Sequence, residues 1–335
     1  MATRTTFAFE GKPREASDSP PRYPSAMIRN VMNGRDWATL IALALIWGGA
    51  FFFIGVAVHQ VAPLTYVWVR LTIAATAMWL YLWWRGQSAE LPRSVWGAIL
   101  ILALFNNVVP FILFGWGQTR IASGLASILN ATTPIWGVVV AHLFTRDERM
   151  TGRKLAGVLL GFSGVAVMIG PAVLTTLGGD TLAQLACVTA ALCYALSGVW
   201  ARRFKAMGVS PVTVTTGQLS AGALVMLPIA LLIDQPWTQP LPSWGAIAAI
   251  LALALVCTAF AYILYFRLID SAGATNALLV TLLVPPIAIL LGSLFLGEVI
   301  APRDFAGMAL IALGLAAIDG RVLGVIKRRP LRPAT

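Results

Sequence analysis

Residues 148–170 read ERMTGRKLAGVLLGFSGVAVMIG, and residues 298–320 read EVIAPRDFAGMALIALGLAAIDG. At an offset of 150, Glu148 falls on Glu298, Arg153 on Arg303, Gly157 on Gly307, Gly164 on Gly314 and Gly170 on Gly320. The correspondence continues upstream. At an offset of 151, FILFGWG (111–117) pairs with YILYFRL (262–268) and Pro134 with Pro285, and at 148 Pro63 pairs with Pro211. Small shifts between segments are what loop insertions leave behind. Each half holds five apolar stretches long enough to cross a bilayer. Five is odd, so the second half must run through the membrane in the opposite sense to the first, as in secondary transporters.

The chain is 59% hydrophobic and 11% charged, with a mean hydropathy of +0.82, outside the range of a soluble domain. The spans read as 37–57, 64–84, 95–117, 122–143, 153–171, 180–201, 211–233, 244–266, 274–296 and 304–322. Each is near the ~20 residues needed to cross a hydrocarbon core of ~30 Å. The expectation is therefore an all-α membrane protein: ten transmembrane helices as two inverted five-helix repeats around a central cavity. Residues 37–171 form the first repeat and 180–322 the second. Residues 1–36, rich in Pro, Ser and Arg, read as a disordered cytoplasmic tail, and 323–335 as a basic one. The tail lacks the layout of a cleaved signal, so the first helix serves as its own insertion signal.

The net charge of +11 invites a nucleic-acid reading, and its distribution argues against one. With the N-terminus inside, 21 of the 24 Lys and Arg fall in cytoplasmic segments; only Arg120 and Arg303 lie in opposite loops, and Arg70 is within a span. That bias predicts cytoplasmic termini by the positive-inside rule. The partners expected are a small-molecule substrate and the lipid bilayer, with no nucleic acid, and the protein is a monomer or weak homodimer.

Enzyme signatures are missing from the sequence. There is no Walker loop, HExxH or GxSxG, and LGGD (177–180) only superficially resembles a membrane aspartyl protease motif, because Leu177 stands at its first glycine position. Cys187, Cys193 and Cys257 lie inside spans without metal-ligand spacing, and neither a cofactor nor a metal is expected. The sequon at Asn130 is mid-span, out of reach of a transferase.

What remains is a lined path. Asn107, Phe111 and Phe114 share one face of helix 3, and their repeat partners on helix 8 are Thr258, Tyr262 and Tyr265. Ser123, Ser127, Asn130 and Pro134 form a small-polar stripe on helix 4, answered on helix 9 by Thr281 and Pro285. Trp47 of helix 1 corresponds to Tyr194 of helix 6. Such stripes serve helix packing as readily as binding, but polar groups recurring at matched depth favour a shared cavity. Prolines 110, 134, 285 and 286 are candidate bending points near the midplane. Arg70, whose repeat partner is Gln218, is either a binding-site cation or a snorkelling side chain that bonds neighbouring carbonyls. None of the thirteen acids is mid-span. A cationic-drug pump needs a buried carboxylate, and nucleotide sugars need several buried cations, so a neutral or zwitterionic substrate with an apolar portion fits best. The candidate substrate-binding residues are Trp47, Arg70, Asn107, Phe111, Asn130, Tyr194, Gln218, Thr258, Tyr262 and Thr281.

WGGAFFFIGVAV (47–58), the Pro-x6-Arg of 63–70, GQTRIASGLASILNATTP (117–134) and the paired Glu-x8-Gly motifs resemble the EamA family of the drug/metabolite transporter superfamily. The resemblance covers residues 37–322. It implies a ten-helix inverted-repeat fold with both termini inside and export of amino acids or other metabolites across a prokaryotic plasma membrane. Helices 1–4 and 6–9 would surround the cavity, with 5 and 10 peripheral. TRDER (145–149) carries one residue more than the corresponding LGE (296–298). Multidrug or nucleotide-sugar carriage is the alternative within transport, and a non-transporting membrane enzyme or assembly factor the alternative outside it.

Overall fold

A computed structural model describes residues 32–87, 91–145, 150–169, 179–273, 277 and 279–319. Its helices in chain order are α1 (Gly34–Val58), α2 (Pro63–Trp84), α3 (Arg93–Gly117), α4 (Ser123–Phe144) and α5 (Gly152–Ile169). They continue as α6 (Gly179–Ala206), α7 (Pro211–Asp234), α8 (Trp244–Ala272), α9 (Val280–Phe295) and α10 (Pro302–Asp319). Six of these, α1, α3, α4, α6, α7 and α8, are long and apolar enough to cross a membrane. Their outward faces carry large apolar side chains such as Leu143 (68% exposed), Leu232 (75%) and Trp244 (85%), a surface matched to lipid.

Local chemistry sets the helix starts. Asn33 and Asp36 form a reciprocal capping box, so α1 begins at Gly34 and takes in the last residues assigned to the N-terminal tail. The remainder of that tail to residue 31, and the tail 323–335, lie outside the described residues. Pro63 and Pro211 occupy the first turns of α2 and α7, where a missing N–H costs nothing. α6 and α8 run further than their apolar stretches, to Ala206 and Ala272, because the polar turns at their ends keep helical backbone.

Packing follows one pattern in both halves. α1 lies on α9 as α6 lies on α4, α8 on α1 as α3 on α6, and α2 on α8 as α7 on α3, while α2 pairs with α7 and α5 with α10. At the α5–α10 contact a Cβ on Gly157 would stand 2.6 Å from the Gly314 carbonyl oxygen, and one on Gly164 the same distance from that of Gly307. Only glycine permits this approach. Gly161 belongs to the same contact, since a Cβ on Gly314 would stand 2.8 Å from its backbone nitrogen, and it also lets the Ile135 side chain of α4 against the helix.

The helices are irregular near their middles. α3 makes a π-helical turn over Leu104–Val108, just before Pro110, and α4 is interrupted between Asn130 and Thr133, before Pro134. Proline cannot donate to the preceding turn, which loosens there. α8 is π-helical over Ala252–Phe260 without any proline, and α7 ends in a π turn after Pro228; neither was anticipated. Such insertions rotate every later side chain relative to a regular helix.

Candidate functional site

Between α2, α3 and α8 lies Arg70, 5% exposed. Its Nε donates to Thr258 Oγ1 at 3.0 Å, and its Cζ stands 3.7 Å over the centre of the Phe111 ring. A guanidinium held against an aromatic face gains ~0.5–2 kcal/mol. The Thr258 hydroxyl donates in turn to the Leu253 carbonyl at 2.7 Å, five residues back, a bond that the π turn of α8 makes available. Tyr66, one turn before Arg70 on α2, donates to the Phe111 carbonyl at 2.8 Å. Tyr66, Tyr194, Cys257 and Tyr262 all stand within electrostatic reach of the guanidinium.

Beside it is an amide network that joins the two halves. Asn106 Nδ2 donates to Gln218 Oε1 at 3.1 Å and to the Tyr262 hydroxyl at 3.0 Å, and Asn106 Oδ1 accepts from Ser197 Oγ at 3.0 Å. The Tyr262 hydroxyl reaches Asn107 Oδ1 at 3.4 Å. Asn107 is fully buried, and its Nδ2 has no hydrogen-bond partner. Aromatic rings wall this region. Phe114 stacks on Tyr194 with centroids 6.1 Å apart and meets Phe51 edge-on at 5.4 Å, Trp47 leans on Tyr265 at 5.3 Å, and Tyr262 stacks on Phe266 at 6.1 Å.

Of the residues expected from sequence, Arg70, Asn107, Phe111, Gln218, Thr258 and Tyr262 come together here, with Tyr194 and Trp47 in the adjoining aromatic wall. Asn130 bonds within its own helix, its carbonyl accepting from Thr133 Oγ1 at 2.7 Å at the break in α4. Thr281 is partly exposed on α9. Ser123 and Ser127 do not continue a stripe toward the centre: Ser127 Oγ returns to the Gly124 carbonyl, and Ser123 bonds Glu298. Asn106, Ser197 and Tyr66 were missed. Asn106 replaces Asn107 as the hub because the π turn over Leu104–Val108 shifts the facing position by about one residue. The sequence signal was present as the adjacent asparagines upstream of Pro110. Two apolar clefts of about 220 Å³ occur elsewhere, one beside Thr65 and Pro236 and one beside Pro285 and Met308; the network residues line neither.

Comparisons with known proteins agree with this architecture. A transporter of Bacillus subtilis, YoaV, is 25% identical over 279 residues, 82% of this chain and 94% of that protein. A probable terminal-alkyne amino-acid exporter of Streptantibioticus cattleyicolor is 28% identical over 299 residues, 86% and 94% of the respective chains. The inner membrane transporter YedA of Escherichia coli is 25% identical over 286 residues, 84% and 90%. A solved crystal structure superposes with a TM-score of 0.60 at 18% identity, covering 88% of this chain and 99% of that one, which establishes a shared fold. The model of the EamA-like transporter family matches twice, over residues 37–170 and 181–318. The chain is a multi-pass membrane protein and belongs to the EamA-like transporter family.

Proposed function

We propose that this protein is a secondary exporter of small zwitterionic solutes, amino acids or close derivatives, working by alternating access between two inverted five-helix halves with both termini cytoplasmic. The buried Arg70 carries this reading. It is a fixed cation on an aromatic face, beside a polar network whose members come from both halves. A substrate carboxylate has a counter-charge there, and the rings of Phe114, Tyr194 and Tyr262 offer faces for an apolar side chain or an ammonium. Relative motion of the halves would expose such a seam to one side at a time. The twofold family match and the exchange-symmetric packing of the helices support the repeat, and the distribution of 21 of 24 basic residues supports the orientation. The amino-acid exporter among the relatives is consistent with the substrate class.

Counterflow in proteoliposomes containing only this protein tests the reading. Vesicles loaded with a mixture of amino acids are expected to accumulate a radiolabelled amino acid transiently. Robust movement of a permanent dication or a nucleotide sugar, with no amino acid moved, would overturn the assignment.

A further inference from the structure

We propose that Asp234 and Glu298 form a latch that closes one end of the transport path by capping helices of the opposite half. Asp234, the last residue of α7, accepts through Oδ2 from the Thr65 N–H at 2.7 Å and the Thr65 hydroxyl at 3.0 Å, in the first turn of α2. Glu298, between α9 and α10, accepts the Ser123 N–H at 2.8 Å through Oε1. Its Oε2 takes the Ser123 hydroxyl at 2.8 Å and the Gly124 N–H at 3.2 Å, at the start of α4. Each carboxylate satisfies free N–H groups of a helix start and faces the positive end of its dipole. Gln60 Oε1, accepting from the Ser243 N–H at 2.9 Å, adds a third tie between the halves at this end.

The ties are built in. Gly292 is small enough to admit Glu298: a Cβ there would overlap the carboxylate and stand 2.8 Å from Ser123 Oγ. Gln239 Nε2 donates to the Asp234 carbonyl at 2.7 Å and fixes the end of α7. The arrangement is also one-sided where the repeat permits a comparison. The counterpart of Thr65 is Thr213, and its N–H is capped at 3.1 Å by Ser210 of its own half, not by an acid of the other. The counterparts of Ser123 and Glu298 lie outside the described residues.

An opposing element sits beside it. Gln118 is 3% exposed, and both its amide nitrogen and its amide oxygen lack hydrogen-bond partners. It lies by the latch, since a Cβ on Gly55 would stand 3.7 Å from Gln118 Oε1 and 3.9 Å from Ser123 Cβ. A buried amide without partners disfavours the closed arrangement and gains hydrogen bonds once water enters. The carboxylate caps hold this end shut while Gln118 favours opening, which gives the balanced two-state element that alternating access requires. The identity of this end as the outer one rests on the orientation proposed above.

Labelling of a buried reporter measures the balance. In a background free of native cysteines, Ser197→Cys is exposed to a charged methanethiosulfonate from either side of oriented vesicles. Asp234→Ala with Glu298→Ala is expected to raise the labelling rate from the outside roughly tenfold, the scale of losing helix caps. Gln118→Leu is expected to lower it, and that variant removes a folding liability, so it tests the balance even if the double variant does not fold. Unchanged labelling from both sides in folded variants would overturn the latch. A rise confined to the cytoplasmic face would uphold the latch and overturn only the orientation.

Discussion

Arg70 is the residue on which substrate charge should depend. Arg70→Gln is expected to reduce counterflow of a carboxylate-bearing substrate at least tenfold while its amide loses much less. Equal losses for both would assign Arg70 to structure alone. Arg70→Lys should not rescue, because an ammonium has neither the planar face laid on Phe111 nor the Nε that bonds Thr258. Asn106 is the test of the network. Asn106→Ala leaves Gln218, Ser197 and Tyr262 without that partner, and the deletion is expected to cost ~1–3 kcal/mol, read as a lower melting temperature or a higher half-saturation concentration. Asn107→Ala should cost less, since its amide nitrogen has no partner to lose.

At the scale of elements, α5 and α10 are held by backbone proximity. Gly157→Leu drives a side chain into the Gly314 carbonyl and should destabilise the fold by ~1–3 kcal/mol or more, measured by thermal unfolding in detergent. Gly137→Ala is the matched control: nothing lies within 4 Å of its Cβ position, and alanine's better helix propensity (~1 kcal/mol) should leave the melting temperature equal or raised. The interrupted helices matter differently. The π turn in α8 frees the Leu253 carbonyl to accept from Thr258, which keeps that oxygen in place for Arg70. Irregular backbone at this depth is sustained because polar side chains and neighbouring helices satisfy it.

At the scale of the whole molecule, charge distribution predicts orientation. A cysteine placed at Leu241, on the loop between α7 and α8, should be labelled by an impermeant thiol reagent in intact cells, and one at Arg146 should not, once native thiols are removed. Labelling at 146 would invert the topology. Transport should survive without any membrane-buried acid, since none of the thirteen acids is mid-span. The carboxylates that do join the halves, Asp234 and Glu298, lie at helix ends.

The sequence by itself determined the membrane class, the duplication and the family resemblance, because each is written in periodicities that survive without knowledge of contacts. Apolar length marks the spans, equal spacing of Glu, Arg and Gly marks the repeat, and Arg70 is conspicuous as a lone charge in hydrocarbon. It also brought six of the ten expected binding residues to one place, since repeat equivalence carries depth along with identity. Only the tertiary structure decided which neighbour of each pair faces inward. Asn106 rather than Asn107 became the hub because π turns rotate helix faces by about a residue, and nothing in the α8 sequence announces its own π stretch. The caps by Asp234 and Glu298 were equally hidden. They join residues 169 and 175 positions apart, and such a bond follows from how two helices pack, not from the local sequence of either.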